Sequence, residues 1–266
     1  MNEKTMFTLI TGASSGIGKA MAWECGSRKM NLLLVSLPGQ SLEEVALQIS
    51  SRHGVTCNWF ETDLSEKDGP AKVFQWTRSN GYVVRYLVNN AGMAGTAIFA
   101  NSDDKYIDDR ILVNIRALVF LSRYFITDMK SIPGAAILNV GSLSAFYSIP
   151  FKSLYAASKA FVVNFSRAIR TELNETGISV SVLCPNGVRT NQGTHARIDA
   201  HGFMGRLTSV PVEKVAKAGI EGMIAGRFMI IPGFVNHILL FISKLIPGFL
   251  KQRKLYREFY KEVRVS

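Results

Sequence analysis

The sequence predicts a doubly wound α/β fold, in which a seven-stranded parallel sheet carries helices on both faces. Three observations predict it. Apolar, β-branched runs alternate strictly with helical patterns. The first run leads straight into a glycine-rich turn that opens a helix. The length, 266 residues with 47% apolar side chains, suits one large α/β domain around a single core.

The strand-like runs fall at residues 5–11, 30–36, 56–61, 85–90, 135–140, 178–184 and 228–231. They read as continuous apolar segments, as strands buried on both faces do. Helical patterns fill 16–28, 41–53, 66–79, 103–129, 152–176 and 211–226. Pro211 with Glu213 marks a helix start, and Thr176-Gly177 a helix stop. Right-handed crossovers between parallel strands then distribute the helices over both faces.

Residues 11–18 read Thr-Gly-Ala-Ser-Ser-Gly-Ile-Gly, directly after the first strand. Gly12, Gly16 and Gly18 allow a tight turn and close backbone approach, with Ser14, Ser15 and Ile17 between them. The helix that follows offers unpaired N–H groups and a positive dipole end, a cradle for a pyrophosphate. The spacing G-x-x-x-G-x-G is one residue wider than the common dinucleotide fingerprint.

Tyr155 and Lys159 lie one helical turn apart and face the same way. An ammonium there stabilises a phenolate, so the tyrosine becomes a usable acid or base near neutral pH. Ser142 follows the run 136–140, at the carboxyl edge of a strand, where parallel sheets bind ligands.

In this order the motifs resemble the short-chain dehydrogenase/reductase family over about residues 5–231. The resemblance also rests on Asp63-Leu64 after the third strand and Asn89-Asn90-Ala91-Gly92 after the fourth. Asn114 within the long helix and Pro185-Asn186-Gly187-Val188-Arg189-Thr190 after the sixth strand complete it. It implies a Rossmann sheet of order 3-2-1-4-5-6-7 and hydride transfer between a nicotinamide cofactor and a carbonyl or secondary alcohol. Tyr155 would be the general acid in reduction, Ser142 would hydrogen-bond the reacting oxygen, and Lys159 would hold the nicotinamide ribose. Asn114 would anchor a water on the proton path to Lys159. The resemblance places the glycine segment at the pyrophosphate, Asp63 and Leu64 at the adenine, and Asn90, Ala91 and Gly92 near the ribose. Thr190 would touch the pyrophosphate or the carboxamide side, and Pro185 and Val188 would also bind the cofactor. The family's usual Pro-Gly is Pro185-Asn186 here. Asparagine tolerates unusual backbone angles, so the turn is expected to persist.

Cofactor choice rests on Ser36 and Leu37 at the end of the second strand. An acid there would accept from the adenosine ribose and repel a 2′-phosphate. Its absence, with Ser14, Ser15 and Ser36 as donors, favours NADP(H) over NAD(H). Residues 190–210 are long for an α/β connection and read as a substrate lid carrying Ile198, Phe203, Met204 and Leu207. The apolar lid and tail favour a bulky lipophilic ketone or alcohol, as in acyl, sphingoid and steroid members with hydrophobic C-terminal extensions. Two rival readings are a non-catalytic NADP(H)-binding redox sensor and a membrane-surface scaffold. The intact Ser142, Tyr155, Lys159 and Asn114 speak against a pure sensor.

Residues 1–231 are thus expected to form the catalytic domain, and 232–266 a basic amphipathic extension of it. Net charge is +11, and residues 227–266 hold eight Lys/Arg against two Asp/Glu, a net +6. No RNP, helix-turn-helix or zinc-finger pattern accompanies this charge, which excludes those routes to nucleic acid. Phe234–Ile246 reaches only about 20 Å as a helix, short of a hydrocarbon core of about 30 Å. It is expected to pack on the domain or a second subunit of a dimer or tetramer, with the basic helix beyond it touching a membrane surface peripherally. Three scattered cysteines, Cys25, Cys57 and Cys184, suit neither a metal cluster nor a disulfide framework. With no room for a signal peptide before the first strand, they point to a reducing, cytoplasmic setting.

Overall fold

The computed structural model describes residues 5–190, 194 and 202–263. Seven strands form one parallel sheet: β1 (Met6–Thr11), β2 (Asn31–Ser36), β3 (Cys57–Glu61), β4 (Val83–Asn89), β5 (Ala136–Val140), β6 (Ser179–Leu183) and β7 (Met229–Ile230). Their order is β3-β2-β1-β4-β5-β6-β7, as expected, with every pair parallel.

Successive residues of a strand point to opposite faces, and both faces are covered. Leu32 and Leu34 of β2 join a cluster with α1 (Gly16–Ser27), α2 (Leu42–His53) and α8 (Val212–Ile224), in which Met21, Ile49 and Ile220 are fully buried. Leu33 and Val35 join the opposite cluster with α3 (Gly69–Ser79), α5 (Leu118–Met129) and α6 (Ser153–Glu172), around Leu121, Phe125 and Met129. Two-sided burial is why these strands read as apolar runs rather than alternating ones.

The structure refines the expected elements in three places. The long helix predicted at 103–129 comprises α4 (Asp104–Ile111) and α5 joined by a π-helical turn, Leu112–Ala117, which contains Asn114. The last strand shrinks to the two residues of β7. Of the expected lid, residues 191–193 and 195–201, with Ile198, lie outside the described residues, as do the side chains of Phe203 and Met204. The part after it forms a short helix, α7 (Gly202–Thr208).

The C-terminal extension folds as two helices, α9 (Phe234–Leu245) and α10 (Gly248–Val263). Gly233 turns the chain into α9 with φ +87°, and a Cβ there would lie 2.9 Å from the Val210 side chain. Asn236 fixes the start of α9. It is 1% exposed, donates to the carbonyls of Thr208 (3.2 Å) and Pro232 (2.8 Å), and accepts from Asn186 (3.1 Å).

Candidate functional site

The site lies along the carboxyl ends of β1, β4, β5 and β6. Thr11 closes β1, and its Oγ1 accepts from the N–H groups of Asn90 and Ala91, both at 3.0 Å. The Asn90 amide donates to the carbonyls of Thr11 (2.8 Å) and Gly12 (3.1 Å). This strut ties the turn after β4 to the glycine segment. Gly12 holds φ +65°, and Gly18 has no room for a side chain: a Cβ would lie 2.1 Å from the Gly12 carbonyl oxygen and 2.4 Å from the Asn90 amide nitrogen. The backbone of α1 is thereby drawn against the end of β1.

Ser15 caps α1 without a side-chain hydrogen bond to its N–H groups, and no acidic residue occupies the first turn. The positive end of the helix is left for an anion. Gly16, with φ +55°, packs against Thr190, whose N–H donates to Thr194 Oγ1 at 2.9 Å. Val188 bridges to Val210, which brings the segment after β6 alongside. A cradle that a single Cβ would fill, beside an open helix N-terminus, fits a dinucleotide pyrophosphate.

The outer cofactor positions are set differently. Ser36 is 5% exposed, and its hydroxyl donates to the Leu37 carbonyl at 3.0 Å. Asp63 accepts from the N–H and hydroxyl of Ser65, both at 2.7 Å, so it shapes the turn after β3. Leu64 is buried in the core cluster.

Four predicted catalytic residues converge between β4, β5 and α6. Ser142 ends the extended segment after β5, and its Oγ accepts from the Ser144 N–H at 3.1 Å. Its own proton remains available for donation to a ligand oxygen. Lys159 is buried, and its Nζ donates to the Val140 carbonyl at 2.8 Å and lies 5.8 Å from the Tyr155 ring centre. Burial pushes its pKa down to about 8. Beneath it, burial pushes the Cys184 thiol up to about 12, so this sulfur stays protonated. Gly92 presses close: a Cβ there would lie 3.3 Å from Asn114 Oδ1 and 3.4 Å from Lys159 Nζ.

Asn114 has both ends of its amide engaged. Oδ1 accepts from the Met93 N–H (2.7 Å), and Nδ2 donates to the Met93 carbonyl (2.9 Å) and Ser158 Oγ (3.2 Å). Ser158 in turn donates to the Tyr155 carbonyl at 2.8 Å. Sequence reasoning missed Ser158 as a positioning residue, although its place inside Tyr155-Ala-Ala-Ser-Lys159 was the available signal. It also gave Asn186 a backbone role. Asn186 is not among the residues with positive φ, and its amide instead holds Asn236 of α9.

Beside Tyr155 opens a small cleft lined by the apolar Ala97, Phe99, Phe151 and Leu154 and the polar Ser102, Tyr106, Lys152 and Ser153. The end of α10 closes over its wall. Tyr256 and Tyr260 pack on Phe151 with ring centres 5.2 and 5.7 Å away. Glu262, 8% exposed, accepts from Thr96 Oγ1 (2.8 Å) and pairs with Lys152 (2.9 Å), three residues before Tyr155.

Comparison with known proteins matches residues 6–200 to a family model described as short chain dehydrogenase. A very-long-chain 3-oxoacyl-CoA reductase of Anas platyrhynchos is 33% identical over 190 residues, covering 69% of this chain and 60% of the relative. A human 17-beta-hydroxysteroid dehydrogenase type 3 is 32% identical over 189 residues, covering 69% and 59%. The chain therefore spans about three-fifths of the length of these relatives. Among solved structures, a short-chain dehydrogenase from Sphingobium yanoikuyae in complex with NADPH is 28% identical, with a TM-score of 0.77 and coverage of 92% of this chain and 96% of that one.

Proposed function

Because this chain belongs to the short-chain dehydrogenase family, we propose that it is an NADP(H)-linked oxidoreductase acting on a bulky lipophilic ketone or secondary alcohol. The observation that carries this reading is the convergence of Ser142, Tyr155, Lys159 and Asn114 beside an open α1 N-terminus. When bound, the nicotinamide supplies the hydride in reduction and accepts it in oxidation. Gly12, Ser14, Ser15, Gly16, Ile17 and Gly18 bind the pyrophosphate, with Ser36 near the adenosine ribose and Asp63 and Leu64 at the adenine. Asn90, Ala91, Gly92, Pro185, Val188 and Thr190 hold the nicotinamide half.

Tyr155 gives its hydroxyl proton to the carbonyl oxygen during reduction and recovers it in the reverse direction. Ser142 donates to the same oxygen, because the Ser144 N–H occupies a lone pair of its Oγ and orients the hydroxyl. The Lys159 ammonium favours the tyrosinate left behind. With its pKa near 8, Lys159 is charged at neutral pH and gives up its proton just above it. Asn114 works as a positioning residue, clamping Met93 and, through Ser158, the turn of α6 that carries Tyr155.

The absence of an acid at Ser36 supports NADP(H), since nothing there repels a 2′-phosphate. The hydroxyl of Ser36 is already donated to Leu37, so lack of repulsion carries the preference. A second, mostly apolar cleft lined by Ala145, Phe146, Tyr147, Ile149, Pro150 and Ala156, next to Tyr155 in α6, supports a lipophilic substrate, and the names of the two relatives, an oxoacyl-CoA reductase and a hydroxysteroid dehydrogenase, agree with it. A panel of acyl, steroid and small polar carbonyls, followed at the reduced-nicotinamide absorbance with NADPH and with NADH, tests the reading. Faster turnover of bulky apolar carbonyls and a lower NADPH dissociation constant are expected. Preference for small sugars or for NADH contradicts it.

A further inference from the structure

The C-terminal extension shows its apolar residues on the side where a domain helix shows polar ones. In α9 the inward positions are Val235, Asn236, Leu239, Leu240 and Ser243, with His237 exposed beside them. Asn236 is locked to three segments, His237 Nε2 lies 2.9 Å from the Ile231 carbonyl, and Leu240 joins an apolar cluster beside α6. The outward positions are Phe234, Ile238, Phe241, Ile242 and Leu245, which are 78%, 43%, 67%, 45% and 72% exposed. An amphipathic helix on a domain buries its apolar stripe. α9 instead buries Asn236, half-buries Val235, Leu239 and Leu240, and exposes a second apolar stripe that Ile246, Phe249 and Leu250 continue past Pro247.

In α10 this stripe becomes mixed. Counting from Phe249, positions i+4, i+7, i+8 and i+11 are Arg253, Tyr256, Arg257 and Tyr260, all exposed. Exposed apolar and aromatic side chains interleaved with arginines match the interface of an anionic bilayer, where rings and aliphatic groups enter the acyl boundary and cations meet phosphate and carboxylate headgroups. No described helix is long and apolar enough to cross a membrane, so contact would be in the plane.

We propose that the outer face of α9 and the exposed face of α10 dock on an anionic lipid bilayer surface. Charge selects this occupant. Residues 227–266 carry eight Lys/Arg and two Asp/Glu, and of the acids Glu262 is buried against Lys152. A second copy of the chain meeting this face about a two-fold axis would bring the positive charge of both copies' extensions into one interface. The helix that carries this face ends on the cleft wall through Phe151, Thr96 and Lys152, so docking brings lipid close to the lipophilic substrate site. That last consequence rests on the proposed function. The docking itself does not.

The test is flotation of the full chain with vesicles of phosphatidylcholine alone and of phosphatidylcholine with phosphatidylserine. Wild type floats with the anionic vesicles, more weakly with the neutral ones, and binding falls as salt rises. Phe241→Asp with Leu245→Asp, and separately Arg253→Glu with Arg257→Glu, each lower anionic-vesicle binding by at least about tenfold with unchanged melting temperature and unchanged size-exclusion mass. Absence of wild-type binding, or binding by both double variants at the wild-type level, overturns the proposal. A drop in mass of the variants without lipid also overturns it, because a second copy would then be what covers the face. Lost flotation with intact turnover defeats docking alone, and intact flotation without turnover on any carbonyl defeats the enzymatic reading alone.

Discussion

The glycine cradle and the C-terminal extension are determined from opposite directions. Around the cradle each position answers to a neighbour in the same chain: Gly18 faces the Gly12 carbonyl, Asn90 ties β1 to β4, and Gly92 lies against Asn114 and Lys159. On the outer face of α9, Phe234, Phe241 and Leu245 answer to nothing in the described chain and are at least two-thirds exposed. Substitutions in the first region therefore act on the isolated protein, whereas those on the outer face show only when a surface is supplied.

The largest effect belongs to Lys159→Met. Turnover falls by at least about a hundredfold, because the tyrosinate loses its cation. The cofactor-free protein at the same time becomes more stable at pH 7, by about 1–3 kcal/mol. The gain comes from removing an ammonium whose pKa burial lowers from 10.5 to about 8. Below about pH 8 the folded and unfolded lysine are both charged, and the burial penalty is full. Between about 8 and 10.5 the unfolded state binds more protons, so the stability of wild type rises with pH. Thermal melts across this window should show that rise in wild type relative to the variant, and parallel curves would remove Lys159 as its source.

Gly18→Ala comes next. With 2.1 Å to the Gly12 oxygen, the added methyl forces α1 away from β1. A stability loss of about 1–3 kcal/mol from overpacking is expected. NADPH affinity should fall at least about tenfold, read by fluorescence titration. Wild-type affinity would show that the cradle tolerates a Cβ and that its sterics do not define it.

Asn236→Ala gives the smallest effect and probes the seam between the two regions. It removes the acceptor of the Asn186 amide and the donor to the Thr208 and Pro232 carbonyls, at a cost of about 1–3 kcal/mol in urea unfolding. The NADPH dissociation constant is expected to stay unchanged. A large loss of cofactor affinity would mean that α9 supports the cradle through Asn186 and that the two regions are not separable.

The same contrast explains what the sequence made legible. The strands and the three cradle glycines follow from local rules of periodicity and crowding, Tyr155 and Lys159 from helical spacing, and the strand order from the family resemblance. Asn114, in the π-helical turn, bonds Met93 across 21 residues, a contact that periodicity along 103–129 does not register. Asn186 read as a backbone substitution because its partner, Asn236, lies 50 residues away. Ser36 read as a donor because its bond to Leu37 is invisible until the chain turns. The extension was expected to bury its apolar residues against the domain or a subunit. The described structure buries one face of α9 around Asn236, with Val235, Leu239 and Leu240 half-buried, and leaves the other face exposed.

The central claim, acid catalysis by Tyr155 on a lipophilic carbonyl, is tested most directly by the absorbance decay of NADPH with a bulky apolar ketone, in wild type and Tyr155→Phe. Wild type is predicted to consume NADPH, and the variant to do so at least about a hundredfold more slowly with an unchanged NADPH dissociation constant. Equal rates in the two proteins, or no consumption by wild type with any carbonyl, would contradict it.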